Sequence, residues 1–191
     1  ESAGNAKSAE RSCRQPDFLS RQASGKTYGS AMHAALQYIR YEDCGSPQAV
    51  SREIQRLVMG KFLTEEQGSL VRCDQLARFF QSEIGKKLRS GTRYLREFKF
   101  SILDAGQHYG EGLEDEQVLL QGVVDCALLE EDGITILDFK TDRVTEETVA
   151  AAADRYRLQV ETYADALTRI YEMPVKARYL YFFGIDRFVE V

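Results

Sequence analysis

Apolar residues recur at helical spacing through the first half of the chain. Met32, Leu36 and Ile39 lie three or four positions apart, which places them on one face of a predicted helix over residues 29–40. A second predicted helix, over residues 47–60, begins at a proline and ends at a glycine. The first half of the chain is therefore predicted to be helical.

A capping box is predicted at the start of the next helix. Thr64 and Gln67 have the required spacing, in which the side chain of each residue binds the backbone N–H of the other. The helical pattern that follows runs through Leu76 and Phe80 towards Ile84.

The period changes from helix to strand in the second half. Residues 94–103 alternate as in a half-buried strand, and residues 117–129 are apolar and β-branched. Residues 107–116, between them, form a glycine-rich acidic loop. Asp132-Gly133 is a hairpin signal, so residues 134–140 are predicted to form the neighbouring antiparallel strand.

The end of the chain adds a helix and further strand. A long helix is predicted over residues 146–172 and is ended by Pro174. A strand over residues 175–183 and a short edge strand over residues 188–191 follow. This order of elements predicts an α/β fold with a small mixed sheet flanked by helices.

The same pattern divides the chain into an arm and one domain. Residues 1–24 are polar and without periodicity, which predicts a linker or mobile arm. Residues 25–191 then form the domain, with a helical part over residues 25–90 and an αβ core over residues 91–191. A chain of 191 residues suffices for one hydrophobic core.

Composition narrows the classes of function. No apolar run approaches the ~20 residues that cross a bilayer, so no membrane association is expected. The net charge of −5 counts against a stand-alone DNA-binding protein. Residues 85–100 nevertheless carry six basic side chains and one acidic one, a cluster that alone would indicate a solvated face. The four cysteines are scattered, which predicts free thiols in a reducing cytoplasm.

Asp125, Asp138 and Lys140 are the residues most indicative of chemistry. Asp138 and Lys140 lie on one face at the end of the strand over residues 134–140, and the hairpin brings Asp125 opposite Asp138. Two such carboxylates repel unless a cation lies between them, and oxygen ligands select Mg²⁺, with Mn²⁺ as substitute. The lysine can orient an attacking water or stabilise charge on a phosphate. An ion pair that merely stabilises the strand end is the alternative explanation.

Four motifs in the chain resemble the RecB-like branch of the PD-(D/E)XK nucleases. The resemblance extends to the C-terminal nuclease domains of the AddA family of bacterial helicase–nuclease subunits, and it implies a restriction-endonuclease-like core. The motifs are GSAMHAALQ at residues 29–37, GVVD at 122–125, DFKTD at 138–142 and QVETY at 159–163.

The resemblance implies a role for each motif residue. The metal ion would be held by His33, Asp125, Asp138 and the backbone carbonyl of Phe139.

The remaining motif residues would act on water and DNA. By the same resemblance, Lys140 would position the water, while Gln159 and Tyr163 would hold the site and the DNA backbone. Glu97 ranks lower, because a strand glutamate among arginines is more often a salt-bridge partner. No cysteine follows Cys126, so the iron–sulfur cluster of some relatives is not expected.

We therefore expect a magnesium-dependent deoxyribonuclease in the bacterial cytoplasm. It would be the exonuclease domain of a helicase–nuclease, cutting single strands in double-strand-break repair and recombination. The implied partners are DNA, an N-terminal helicase portion of the same polypeptide and an AddB-like subunit. Residues 24–27 lack the rest of a phosphate-binding loop, so no ATP is expected here.

Two alternatives stay open. A catalytically silent DNA-binding or docking module of the same fold would differ by lacking a metal ligand or the lysine. A hydrolase of small phosphoesters would need a closed pocket.

Overall fold

The computed structural model describes residues 17–105, 107 and 115–191, with side chains from residue 27 onward. This part of the chain forms seven helices and a five-stranded sheet. The N-terminal helices are α1 (Asp17–Tyr38), α2 (Pro47–Met59), α3 (Glu65–Leu70), α4 (Cys73–Gln81) and α5 (Glu83–Arg89), with a 3-10 turn at Tyr41–Asp43.

Local capping explains where several of these helices begin. Ser46 accepts a hydrogen bond from the N–H of Ala49, and Pro47 follows it at the first helical position. Both bonds of the predicted capping box are present, at 3.1 Å to the Thr64 hydroxyl and 2.9 Å to the Gln67 amide oxygen. Ser82 separates α4 from α5 and caps the latter.

Helix α1 is longer than the sequence pattern indicates. It begins at Asp17, so residues 17–24, expected within a polar arm, are helical; residues 1–16 lie outside the described part. A helix anchored by the buried side chains of Ala31, Met32, Ala35 and Leu36 gains one hydrogen bond for each residue added, and this extension needs no apolar stripe of its own. The division into an arm and a domain stays a prediction.

The sheet confirms the predicted α/β fold with a small mixed sheet. Its spatial order follows the chain, and every neighbouring pair is antiparallel except β3 and β4, which are parallel. The loop predicted over residues 107–116 lies almost wholly outside the described residues. The strands are β1 (Tyr94–Ala105), β2 (Gln117–Glu130), β3 (Gly133–Lys140), β4 (Val175–Phe182) and β5 (Arg187–Glu190).

The prediction of a single long helix over residues 146–172 was wrong. Two helices, α6 (Val149–Asp154) and α7 (Arg157–Tyr171), form the crossover from β3 to β4. The N–H of Tyr156 bonds the carbonyl of Ala153, three residues back, which tightens the turn and interrupts the helix.

The sheet separates two hydrophobic cores. Helices α1–α5 pack with Leu137 and Phe139 on one face, while α6 and α7 pack with Ile134 and Ile136 on the other. The alternation predicted for β3 is therefore confirmed. None of the helices in the described ranges is both long and apolar enough to cross a membrane.

Candidate metal centre and active site

The site forms where β2 separates from β3. The pairing of these strands runs up to Cys126 and Leu137, and Asp125 and Asp138 are the next residues beyond it. The Asp125 carboxylate accepts a hydrogen bond of 2.8 Å from the N–H of Phe139. The side chain of Asp125 thus binds a backbone N–H group of β3, and this hydrogen bond holds the ends of the two strands together. Whether the Phe139 carbonyl binds a metal stays a prediction.

Near Asp125, the side chains of both β1 and β2 depart from the regular alternation between the two faces of the sheet. Regular alternation would place Cys126 and Val124 on the same face, yet they pack in opposite cores. In β1, Arg96 reaches the end of α1, while Phe98 packs beside the α7 core. Glu97, at the point of change, has a φ of 47°, in the left-handed region that a non-glycine residue rarely adopts. The irregular backbone brings Glu97 to the level of Asp125.

His33, Glu97 and Asp125 come together at this point. One ligand atom from each lies within 4.8 Å of the other two. The Nδ1 atom of His33 is 3.5 Å from a carboxylate oxygen of Asp125. The sequence analysis ranked Glu97 lower, although it is the single acid in the basic segment 85–100. Asp138 is not part of this group of three.

The charges of this group shift the pKa values of its members. Burial favours the neutral form of His33, but the hydrogen bond and negative charge of Asp125, with those of Glu97 and Asp138, raise its pKa overall. Burial, and then the charge of Asp125, raises the pKa of Glu97. The negative charge of the carboxylates therefore favours a bound proton at His33 and at Glu97, and it would favour a bound cation for the same reason.

Helix α1 approaches β3 closely enough to deliver His33. A Cβ at Gly29 would lie 2.7 Å from the hydroxyl of Thr141, which directly follows β3. Glycine at this position permits the contact, and His33 lies one helical turn further along.

Asp138 is a buried carboxylate in a close ion pair. Its side chain is 4% exposed, and its Oδ2 atom forms no hydrogen bond of good geometry within the described residues. Lys140 Nζ lies 2.5 Å from that same oxygen, so the two groups form an ion pair. Burial and then the charge of Asp125 raise the pKa of Asp138.

The donor set fits a hard divalent cation. The group of three offers carboxylate oxygens from Glu97 and Asp125 with the imidazole of His33, and thiolates are absent from this cluster found among the described residues. The buried carboxylate of Asp138 is a further sign, because a cation would favour its charged form; its place among the ligands stays a prediction.

Helix α7 supplies the other wall of the site. Gln159 and Tyr163 lie one turn apart and are joined by a hydrogen bond of 2.7 Å from amide to phenol. Lys140 donates to the amide oxygen of Gln159 at 3.3 Å. A Cβ at Gly122 would lie 2.6 Å from the ring of Phe100 and 3.1 Å from that of Tyr163, so glycine permits this packing. The predicted residues therefore converge; their contact with DNA stays a prediction.

Sequence reasoning missed Tyr156. Lys140 Nζ lies 3.6 Å from the ring centroid of this tyrosine, which belongs to none of the four motifs. The contact depends on the helix break at this residue, for which the pattern of residues 146–172 gave no signal.

The basic segment 85–100 does not form a single positive face. Lys86 pairs with Glu83 on its own helix, and Lys87 pairs with Glu130. Arg96 is turned inward, where it donates to carbonyls at the end of α1 and lies 3.9 Å from the centroid of the Tyr41 ring.

The cysteines of the described residues are free, as predicted. Burial raises the pKa of Cys44 and of Cys126 to about 12, so both are unreactive thiols. Cys13 lies outside the described part.

Comparison with known proteins places this sequence among nucleases. The family model described as the PD-(D/E)XK nuclease superfamily matches residues 8–187. Proteins named as components of an ATP-dependent helicase/nuclease are 33% identical in Clostridium novyi (strain NT), over 93% of this chain, and 34% identical in Alkaliphilus metalliredigens (strain QYMF), over 85%. A protein of the same name from Bacillus mycoides (strain KBAB4) is 33% identical over 93% of this chain. The chain spans 14–15% of the length of these relatives.

Proposed function

This chain belongs to the PD-(D/E)XK nuclease superfamily, and on that premise we propose that it hydrolyses DNA phosphodiester bonds with a divalent metal ion bound beside Asp125 and Asp138. The observation that carries the proposal is the buried carboxylate of Asp138, which lies beside a lysine and in the field of a second carboxylate. Burying a charged carboxylate costs stability, and a bound cation would offset that cost.

The ion would be held by carboxylates of the strand ends and by the histidine of α1. Asp125 and Asp138 are the central ligands, with His33 and, by resemblance, the Phe139 carbonyl completing the set. Glu97 supports the same ion from β1, since its carboxylate lies within 4.8 Å of the ligand atoms of His33 and Asp125. Such an ion, which we take as Mg²⁺ with Mn²⁺ as substitute, lowers the pKa of a bound water and polarises the phosphoryl group.

The chain's own residues would orient the reactants. Lys140 lies beside Asp138 and can donate a hydrogen bond to the attacking water or to a phosphate oxygen. Gln159 limits the rotation of that ammonium group, and Tyr163 in turn fixes Gln159. Burial raises the pKa of Tyr163 to about 12, so its phenol stays a neutral donor at physiological pH.

The substrate would be single-stranded DNA delivered by a helicase. The relatives bear the name helicase/nuclease, and this chain spans only 14–15% of their length. We propose that a helicase portion of the same polypeptide and an AddB-like subunit provide most of the contacts with DNA. The reaction would serve double-strand-break repair and recombination in the cytoplasm. The net charge of −5 and the paired lysines of α5 fit weak DNA binding by this chain alone.

Cleavage of end-labelled single-stranded DNA tests the proposal. The chain would be incubated with Mg²⁺, with Mn²⁺ or with EDTA, as wild type and as Asp125→Ala and Lys140→Ala. Asp74→Ala and Lys86→Ala are matched controls, because each removes a half-exposed side chain of the same type from a surface ion pair. Cutting should require metal, disappear in both site variants and persist in both controls.

Calorimetric titration with Mn²⁺ distinguishes the possible reasons for a negative result in the cleavage assay. Wild type should bind the ion, and Asp125→Ala should bind it much more weakly. Metal binding without cutting, even with the helicase portion and the AddB-like partner present, would identify a catalytically silent module instead. Hydrolysis of a small aryl phosphate ester in preference to DNA would identify a different phosphoesterase.

A further inference from the structure

Tyr156 has a contact with the site that the proposed reaction does not yet use. We propose that Tyr156 is a positioning residue for Lys140. The face of the Tyr156 ring holds the ammonium group of Lys140 at the reacting phosphate. The inference rests on the proposed function, because it gives Tyr156 a part in the same reaction.

Lys140 is enclosed on three sides. Its Nζ atom lies 2.5 Å from an oxygen of Asp138, 3.3 Å from the amide oxygen of Gln159 and 3.6 Å from the ring centroid of Tyr156. The side chain is 11% exposed, so little water competes with these contacts. A cation above an aromatic face is attracted by the ring quadrupole, and desolvation strengthens that attraction.

Tyr156 is itself held in place. Its hydroxyl donates a hydrogen bond of 2.9 Å to the carboxylate of Asp142, which follows β3. Its backbone N–H bonds the carbonyl of Ala153 in the tightened turn between α6 and α7. The ring is thus anchored from β3 and from the crossover, and it cannot follow small movements of Lys140.

The restraint that Tyr156 places on Lys140 matters most when a metal ion is bound. Asp138 attracts Lys140 in the metal-free protein, but a divalent ion sharing that carboxylate would repel the ammonium group. Gln159 and the ring of Tyr156 are then the remaining attractive contacts, and the ring acts without occupying an N–H donor. Those donors stay available for water or phosphate.

Simple packing is the alternative role, and two variants separate the two roles. Tyr156→Leu keeps an apolar side chain but removes the aromatic face. Tyr156→Phe keeps the face but removes the hydroxyl. Tyr171→Leu is the matched control, since this half-buried tyrosine ends the same helix about 22 Å away along its axis.

Cleavage kinetics with Mn²⁺ give the first readout. Tyr156→Leu should lower kcat about 3- to 10-fold with unchanged KM for DNA, the range expected for one cation–π contact. Tyr156→Phe should recover most of kcat, and Tyr171→Leu should match wild type. Equal losses in Tyr156→Phe and Tyr156→Leu, or none in either, would overturn the inference.

A spectroscopic readout on the metal-free chain needs no cleavage. With lysine labelled at the ε carbon, the ring current of Tyr156 should shift the signal of Lys140 upfield. Lys140→Arg identifies that signal; Tyr156→Phe should retain the shift, and Tyr156→Leu should abolish it. An active chain without the shift overturns the role of Tyr156 alone. A chain that keeps the shift but never cuts DNA, with all partners present, refutes the proposed function and the positioning role with it.

Discussion

Replacing Asp138 by asparagine should stabilise the metal-free protein while destroying its metal site. The carboxylate of Asp138 is 4% exposed, and one of its oxygens forms no hydrogen bond within the described residues. Burial, and secondarily the charge of Asp125, raises its pKa from 3.8 to about 6, even with Lys140 beside it. The native fold therefore disfavours the ionised form.

The size of the effect follows from that shift. A change of pKa from 3.8 to about 6 corresponds to roughly 3 kcal/mol at neutral pH, as an order of magnitude. Because the folded pKa lies above the unfolded one, the cost is absent below about pH 4, grows from there to about pH 6, and is complete above that. Asparagine mimics the neutral acid, so Asp138→Asn should recover up to this amount at neutral pH.

Urea unfolding measures the difference. In EDTA at neutral pH, Asp138→Asn should unfold at a higher urea concentration than wild type, and at about pH 4 the two should coincide. Asp74→Asn serves as control, because that carboxylate is mostly exposed. Added Mn²⁺ should reverse the order at neutral pH, since ligand at about 1,000 times its Kd stabilises wild type by about 4.1 kcal/mol, which exceeds the cost of the charged carboxylate.

The reasoning would be refuted by a variant that is less stable than wild type in EDTA at neutral pH. It would equally be refuted by a stability gap that persists unchanged at about pH 4. The first result would mean that Lys140 compensates the charge of Asp138 fully, and the second that the gap in stability does not come from that charge.

Four further changes test other parts of the structure. Gly29→Ala should weaken Mn²⁺ binding in a calorimetric titration by displacing α1 from Thr141, at a cost of about 1–3 kcal/mol in stability, and Thr141→Ala should restore binding in the double variant. Glu97→Gln should lower Mn²⁺ affinity without lowering the urea midpoint; unchanged affinity would remove Glu97 from the ligand set. Arg96→Ala should cost about 2–4 kcal/mol in urea unfolding, because it removes two bonds to α1 carbonyls and a stacked ring contact. Thr64→Ala should cost about 1 kcal/mol through the lost capping box and leave DNA cleavage unchanged.

Features that depend on local periodicity could be predicted from the sequence. The two faces of β3 follow from alternation alone, and Leu137 and Ile136 do pack in opposite cores. The spacing of Gln159 and Tyr163 likewise predicts neighbouring side chains on a helix, and they are hydrogen-bonded. The resemblance to the PD-(D/E)XK nucleases of helicase–nuclease proteins was confirmed by the comparisons.

Features that depend on distant contacts could not be predicted in this way. The break at Tyr156 accompanies contacts with Lys140 and Asp142, which lie in another element. Glu97 reaches His33 only because the backbone of Glu97 departs from the strand conformation. No residue type in the segment predicts that departure. Helix periodicity describes one element at a time and carries no information about either contact.

Three irregularities of this fold lie at one level of the sheet. Glu97 has a left-handed backbone, β1 and β2 both depart from regular alternation, and the carboxylate of Asp138 is buried. Each of these features costs stability in the absence of a ligand, and conflict between local rules and the fold is expected where a protein binds or reacts. A cation among the carboxylates would offset the charge cost directly, whereas the backbone cost would stay. Because that backbone cost is the same with and without the ion, it lowers stability but not metal affinity. Glu97→Gly would relieve that strain but remove a ligand atom, so it should raise stability and lower affinity together.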